Sequence, residues 1–110
     1  VQFRPFRSCD TVFWARTVRH QSTLLLSACD EEHLGRTYRE GQAVLRVTRE
    51  YYGERLIDGD ELRRLLTEAD IIALVGERAI SVAVELGIAD WRFVKRFQGV
   101  PHLNIYRLGI

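Results

Sequence analysis

Cys29 and His33 stand four residues apart after an apolar run, and this pair is where the sequence comes nearest to a nucleophile with its base. A cysteine attacks as its thiolate, so it needs a lowered pKa and a proton acceptor within reach. If Asp30 begins a helix, the positive helix end would lower the thiol pKa, and His33 could take the proton. The same residues also read as a small buried cysteine closing a strand and a surface histidine in the next turn. No glycine-framed elbow surrounds Cys29 and no further catalytic partner accompanies it. Cys9, Cys29, His20, His33 and His102 have the donor atoms for a metal, but only Cys29 and His33 are close in sequence and no C-x-x-C pair exists. The expectation is therefore no metal and no cofactor. Val75-Gly76-Glu77-Arg78 lacks the spacing of a phosphate loop. Asp58-Gly59-Asp60 resembles the start of a calcium loop without its downstream bidentate Glu, and reads as a turn with a helix cap.

A second chemistry lies in the C-terminal ribbon, where Trp91, Arg92, Phe93, Lys95, Arg96, Phe97, His102, Asn104, Tyr106 and Arg107 mix aromatic and basic side chains. Cations suit phosphates, and aromatic or guanidinium planes suit splayed bases. An antiparallel hairpin with one apolar and one solvated face would need much the same residues. The chain is only +1 overall, but residues 1–20 hold Arg4, Arg7, Arg16 and Arg19 against Asp10, and residues 91–110 hold Arg92, Lys95, Arg96 and Arg107 with no acid. The intervening 21–90 carry eight arginines and fourteen acids. Basic ends on an acidic middle make one electropositive patch provided the ends meet in space. Fifteen of the sixteen cations are arginine, which suits phosphate forks but also follows from a GC-rich genome or a heat-adapted surface.

The elements that must position these residues follow from pattern. Residues 1–10 show no period and read as a basic arm, with Phe3, Pro5 and Phe6 among Arg4 and Arg7. Thr11–Arg19 and Thr23–Cys29 read as two strands of a hairpin turning at His20-Gln21-Ser22. Asp30, followed by Glu31 and Glu32, predicts a helix running to Gly41, with Leu34 and Tyr38 facing inward and Gly35 between them. Ala43–Thr48 and Arg55–Ile57 read as strands, with a break at Tyr51-Tyr52-Gly53. Asp60 would cap a helix burying Leu62, Leu65 and Leu66. Ile71–Leu86 reads best as one helix capped by Asp70 and stopped by Gly87, although Ile71–Val75 alone could be a buried strand. Phe93–Gln98 and Leu103–Leu108 read as strands joined through Gly99-Val100-Pro101-His102, with Pro101 in the connection because it cannot donate to a ladder.

These elements predict an α+β fold, with a mostly antiparallel or mixed sheet of terminal and central strands packed on about three helices. A chain of 110 residues with 46% hydrophobic and 28% charged residues suits one domain, 11–110, after the arm. No apolar run approaches the roughly 20 residues of a membrane span. No cationic–apolar–small leader opens the chain, so a cytoplasmic setting is expected and a Cys9–Cys29 disulfide is not.

Three stretches occur in an order with a counterpart elsewhere: Ala28-Cys29-Asp30-Glu31-Glu32-His33-Leu34-Gly35-Arg36-Thr37-Tyr38-Arg39-Glu40-Gly41, then Leu74-Val75-Gly76-Glu77-Arg78-Ala79-Ile80, then Gly99-Val100-Pro101-His102. Together they resemble the archaeal family called domain of unknown function 424, over about Val12 to Leu108. The resemblance brings no established activity and implies archaeal translation as a setting. It singles out Cys29, Asp30, Gly35, Arg39, Gly41, Gly76, Arg78, Pro101 and His102. Glycines and Asp30 have structural uses, so Arg39, Arg78, His102 and Cys29 are the candidate site. The arm is a departure from the family pattern.

The leading expectation is a non-enzymatic RNA- or ribosome-associated protein. It would contact ribosomal RNA or ribosomal proteins through Arg4, Arg7, Arg16, Arg19, Lys95, Arg96 and Arg107, with no membrane role and no preference for DNA. The alternatives are a small-ligand or anion-binding protein or a Cys29-dependent enzyme, using His33, Arg78 and His102, and a protein-interaction module using the acidic helices of 60–86.

Overall fold

The computed structural model describes residues 12–107, so the arm with Arg4, Arg7 and Cys9 lies outside the described residues. Strand β1 (Val12–His20) turns at Gln21-Ser22 into β2 (Thr23–Asp30), the hairpin expected from their Val-, Thr- and Leu-rich alternation. Phe13 and Ala15 pair with Asp30 and Ala28 on one face, while Trp14 and Arg16 pair with Cys29 and Ser27 on the other.

The expected helix from Asp30 to Gly41 does not form. Glu31–His33 make a single 3₁₀ turn, and the chain continues as β3 (Thr37–Glu40) and β4 (Ala43–Arg46), a separate two-stranded sheet. Gly35 is the reason: its φ of +87° lies outside any right-handed helix. Its N–H donates to the Val47 carbonyl at 2.6 Å and the Val47 N–H returns to Arg36 at 2.9 Å, zipping the segment onto the strand ahead. Leu34 and Tyr38 do face inward, as part of this hairpin.

Thr48 caps a one-turn helix α1 (Arg49–Tyr52) where a break was expected, and β5 (Arg55–Asp58) follows. Helix α2 (Gly59–Glu68) buries Leu62, Leu65 and Leu66 as predicted, but its cap is Asp58, whose Oδ1 accepts from the Glu61 N–H at 2.8 Å, not Asp60. The expected helix over Ile71–Leu86 is instead β6 (Ile71–Val75), a turn at Gly76, and α3 (Glu77–Glu85). A strand covered on both faces is apolar at nearly every position, so it shows no period of two. The last strands are β7 (Lys95–Phe97) and β8 (Val100–Tyr106), and Phe93 falls in a preceding 3₁₀ turn, Trp91–Phe93. Pro101 belongs to β8 and not to the connection. Its carbonyl accepts from the Gly76 N–H at 2.9 Å, one residue beyond the end of β6. The Gly76 carbonyl is already taken by Ile80, so a donor at Pro101 is not needed there.

The six-stranded sheet has the order β5-β1-β2-β6-β8-β7, antiparallel except for the β2–β6 pair. Helices α2 and α3 cover one face over Phe13, Leu26, Ile72, Leu74 and Leu103. The β3–β4 hairpin and α1 cover one end of the other face, over Cys29 and Val75, with Leu45, Val47 and Tyr52. Among the described residues no helix is long and apolar enough to cross a membrane.

Asp30 joins these layers. Its buried carboxylate accepts from the Ala79 N–H at 2.8 Å and the Arg78 N–H at 3.1 Å, so it caps α3, far along the chain, instead of a helix of its own. Gly76, at φ +113°, passes so close that a Cβ would collide with this carboxyl. Asp30→Ala strands the buried Ala79 amide and the part-buried Arg78 amide and should cost about 2–4 kcal/mol in urea unfolding. Gly76→Ala should be at least as damaging, with loss of both the backbone conformation and the cap.

Candidate functional site

Among the described residues, the strand order separates the basic residues of the two ends. Arg16 and Arg19 are on β1 and Arg107 follows β8, with β2 and β6 between, so roughly 14 Å of sheet divides the strands. Arg16 and Arg19 therefore stand apart from Arg107. Nor are all the C-terminal cations free. The Arg107 guanidinium donates to the Leu66, Thr67 and Ala69 carbonyls at 2.7, 3.0 and 2.7 Å, holding the end of α2 where helix carbonyls lack partners. Arg96 pairs with Glu77 at 2.7 Å, and Arg92 pairs with Asp90 at 2.8 Å.

A different juxtaposition supplies a basic surface. Tyr38 and Leu45 of the β3–β4 hairpin point into the core, which leaves Arg39 and Arg46 on its outer face in diagonal register. The hairpin lies beside β7, tied by Gln98: its Oε1 accepts from the Arg39 N–H at 2.7 Å and its N–H donates to Glu40 at 3.1 Å. Residues 34–52, which carry the hairpin and α1, hold four arginines and two acids, net +2, whereas residues 53–90 hold four arginines and nine acids, net −5. Charge is therefore divided across the sheet, acidic on the helix layer and basic on the hairpin layer. Among the described residues, Arg39, Arg46 and Lys95 lack a carboxylate partner within ion-pair range. Phe93, in the turn before β7, and Tyr106, at the end of β8, are 69% and 67% exposed and line one hollow.

The four candidate residues divide among three places: Cys29 and His102 in the sheet, Arg78 at the start of α3 and Arg39 on the hairpin. Cys29, Val75, His102 and Lys95 occupy neighbouring strands in one row of the sheet, so His102 is about 10 Å from Cys29 with Val75 between. Cys29 is free and fully buried, and burial, with the charges of Asp30 and Glu32, pushes its thiol up to about 12. The positive end of α3 is already used by Asp30. His33 Nδ1 is engaged by the Tyr38 hydroxyl at 2.8 Å. Arg78 forks onto both carboxylate oxygens of Glu32 at 2.9 and 3.1 Å, which holds Glu32 below the usual carboxylate range. Arg39 is on the hairpin. His102 lies opposite Lys95, with the Phe97 ring edge-on at 6.0 Å, and burial plus the Lys95 charge lowers its pKa.

Asp30, Glu32 and His33 bring their donor atoms within 4.8 Å of one another, a grouping the sequence reading did not make. Their partners are the α3 amides, Arg78 and Tyr38, which describes a structural joint. The basic hairpin also escaped the sequence reading. Arg36, Arg39, Arg46 and Arg49 carried the signal, a local +2 inside an acidic middle, but the supposed helix concealed it.

The model of a family described as a protein of unknown function, DUF424, matches residues 18–108. The chain belongs to this family. A solved structure similar in shape is that of an uncharacterised conserved protein from Methanopyrus kandleri, 26% identical, with a TM-score of 0.74 and coverage of 90% of this chain and 94% of that one. No curated protein matches the chain.

Two measurements follow from this geometry. In the folded DUF424 chain, Cys29 should resist alkylation at pH 7.5 and react only on unfolding, read by mass spectrometry of its peptide apart from that of Cys9. The unfolded state should bind more protons than the folded state at His102, because the folded pKa is lowered. Stability should therefore fall as pH drops below about 6.5, and His102→Gln should flatten that slope in urea titrations between pH 5 and 7.

Proposed function

We propose that this DUF424 member is a non-enzymatic RNA-binding protein of archaeal translation, seated on ribosomal RNA through the face formed by the β3–β4 hairpin, β7 and the exposed end of β8. The observation that carries the reading is the side-by-side placement of the arginine-bearing hairpin and β7, with Arg39, Arg46 and Lys95 unclaimed by carboxylates among the described residues and the exposed Phe93 and Tyr106 sharing a hollow farther along the same edge. Unpaired cations suit phosphates, and the neighbouring rings suit unstacked bases. Arg96 and Arg107 serve the fold in this reading, through Glu77 and the end of α2. Arg16 and Arg19 would extend the contact only for an RNA that spans the sheet. The buried thiol at Cys29 weighs against a cysteine enzyme, and the pairing of Arg78 with Glu32 weighs against Arg78 as an anion clamp.

Binding to archaeal ribosomal subunits should be lost on ribonuclease treatment in sucrose gradients. Neutralising three phosphates predicts a roughly twentyfold or greater loss of affinity between about 50 and 200 mM salt. Arg39→Glu with Lys95→Glu should weaken binding and make the salt dependence shallower, while leaving the unfolding midpoint unchanged. Salt-independent association that survives nuclease would replace this reading with a protein partner.

A further inference from the structure

Strand β8 is paired unevenly along its outer side. β7 reaches only from Val100 to His102, and among the described residues no strand lies beside the remainder of β8 to Tyr106 on this side. The two-residue turn Gln98-Gly99 has positive φ at both residues, as a tight hairpin of this hand requires. Phe97 and Val100 close it, so Val100 and His102 aim their backbone groups at β7. By the alternation of a strand, Asn104 and Tyr106 aim theirs the same way, past the end of β7. Where the next strand would run there is a hollow of about 440 Å³, walled by the Gly87–Asp90 segment, Phe93 and Tyr106. A second hollow of about 330 Å³ shares Phe93 and Asn104 with the first and is lined by Lys95 and His102.

We infer that these adjoining hollows take one unpaired nucleotide of the RNA, with its base against Phe93 and Tyr106 at the open edge of β8 and its phosphate at Lys95. The inference rests on the RNA-binding reading and names what that face selects: an unpaired nucleotide and not a duplex. The larger volume lies within the range of small-ligand pockets, roughly 300–1,000 Å³. An open strand edge presents N–H donors and carbonyl acceptors in one plane, the same complement that a base carries on its hydrogen-bonding edge. The exposed rings offer the faces on which a base stacks. The cation fits the charge of the ligand: among the described residues Lys95 has no acid partner, while Asp90, the carboxylate at the far wall, is held by Arg92 through both oxygens at 2.8–3.0 Å. A base would thus meet neutral backbone and rings, and its phosphate would meet the free ammonium.

The test has two arms. In amide NMR titrations, AMP, GMP, CMP and UMP are compared with inorganic phosphate. At least one nucleotide should shift Asn104 and Tyr106 along with Lys95, and inorganic phosphate should shift Lys95 without them. In the second arm, a single-stranded RNA oligonucleotide is compared with a duplex of equal length. Phe93→Ala and Tyr106→Ala should each weaken the single strand by about tenfold, consistent with loss of one stack, and leave duplex affinity and the unfolding midpoint unchanged. If both variants bind the single strand like the parent protein while Arg39→Glu weakens both RNAs, the RNA-binding reading stands and the nucleotide site is overturned. Nucleotides that shift Lys95 alone, as phosphate does, also overturn it. Absence of binding to either RNA by the parent protein removes the site and the reading together.

Discussion

The buried carboxylate of Asp30 holds the fold at its central joint. An ionised carboxylate taken out of water is unstable unless hydrogen bonds replace its hydration. Here the replacement comes from two amides in the first turn of α3, a position where partial positive charge concentrates. Burial still dominates and raises the Asp30 pKa, against the lowering effect of those amides and of Arg78. The geometry is possible because Gly76 has no side chain and can adopt a φ of +113°. One contact therefore sets the end of β2, the exit of β6 and the start of α3. The parallel β2–β6 pair and the helix crossing the sheet both pass through it. The Glu32–Arg78 fork spans the same joint in solvent, where an ion pair contributes little on its own.

From this joint the two faces of the sheet diverge. One receives α2 and α3 and most of the acidic charge. The other receives the arginine-bearing hairpin, whose register follows from the turn at Gly35 and the bonds between Gly35, Arg36 and Val47. Separation of charge across a thin domain produces an oriented field that can steer a polyanion toward one side. It also accounts for a net charge of only +1 in a chain with a distinctly basic surface. The shortness of β7 adds the second feature of that surface, a strand edge left open among aromatic rings.

Much of the fold was legible because it rests on local chemistry. The β1–β2 hairpin shows in its alternation and turn residues. Leu62, Leu65 and Leu66 mark the inward stripe of α2. The two errors of greatest consequence share a cause, the treatment of an acid as a cap for the residues that follow it. Asp30 and Asp70 both precede plausible helical segments. Asp30 caps a helix distant in sequence, and the Asp70 carboxylate accepts from the Leu24 N–H at 2.9 Å. Side-chain type announces that a carboxylate will find a donor, but not which donor. The candidate site shared this limit: Arg39, Lys95, Phe93 and Tyr106 were each visible as residue types, whereas the adjacency of hairpin and β7 was not.

By itself, the amino-acid order determined the α+β class, the family, the hairpin, the stripe of α2 and the presence of an aromatic–basic ribbon. These depend on composition, on periods of a few residues and on ordered motifs, all of which a linear chain displays. Only the tertiary structure decided which cations stay free. Strand order put β2 and β6 between Arg16 and Arg107, carboxylates and helix carbonyls claimed Arg96 and Arg107, and Gly35 turned Arg39 and Arg46 onto the face beside Lys95. Whether a charge is available depends on what lies within a few ångströms of it, and for this chain those neighbours are mostly distant in sequence.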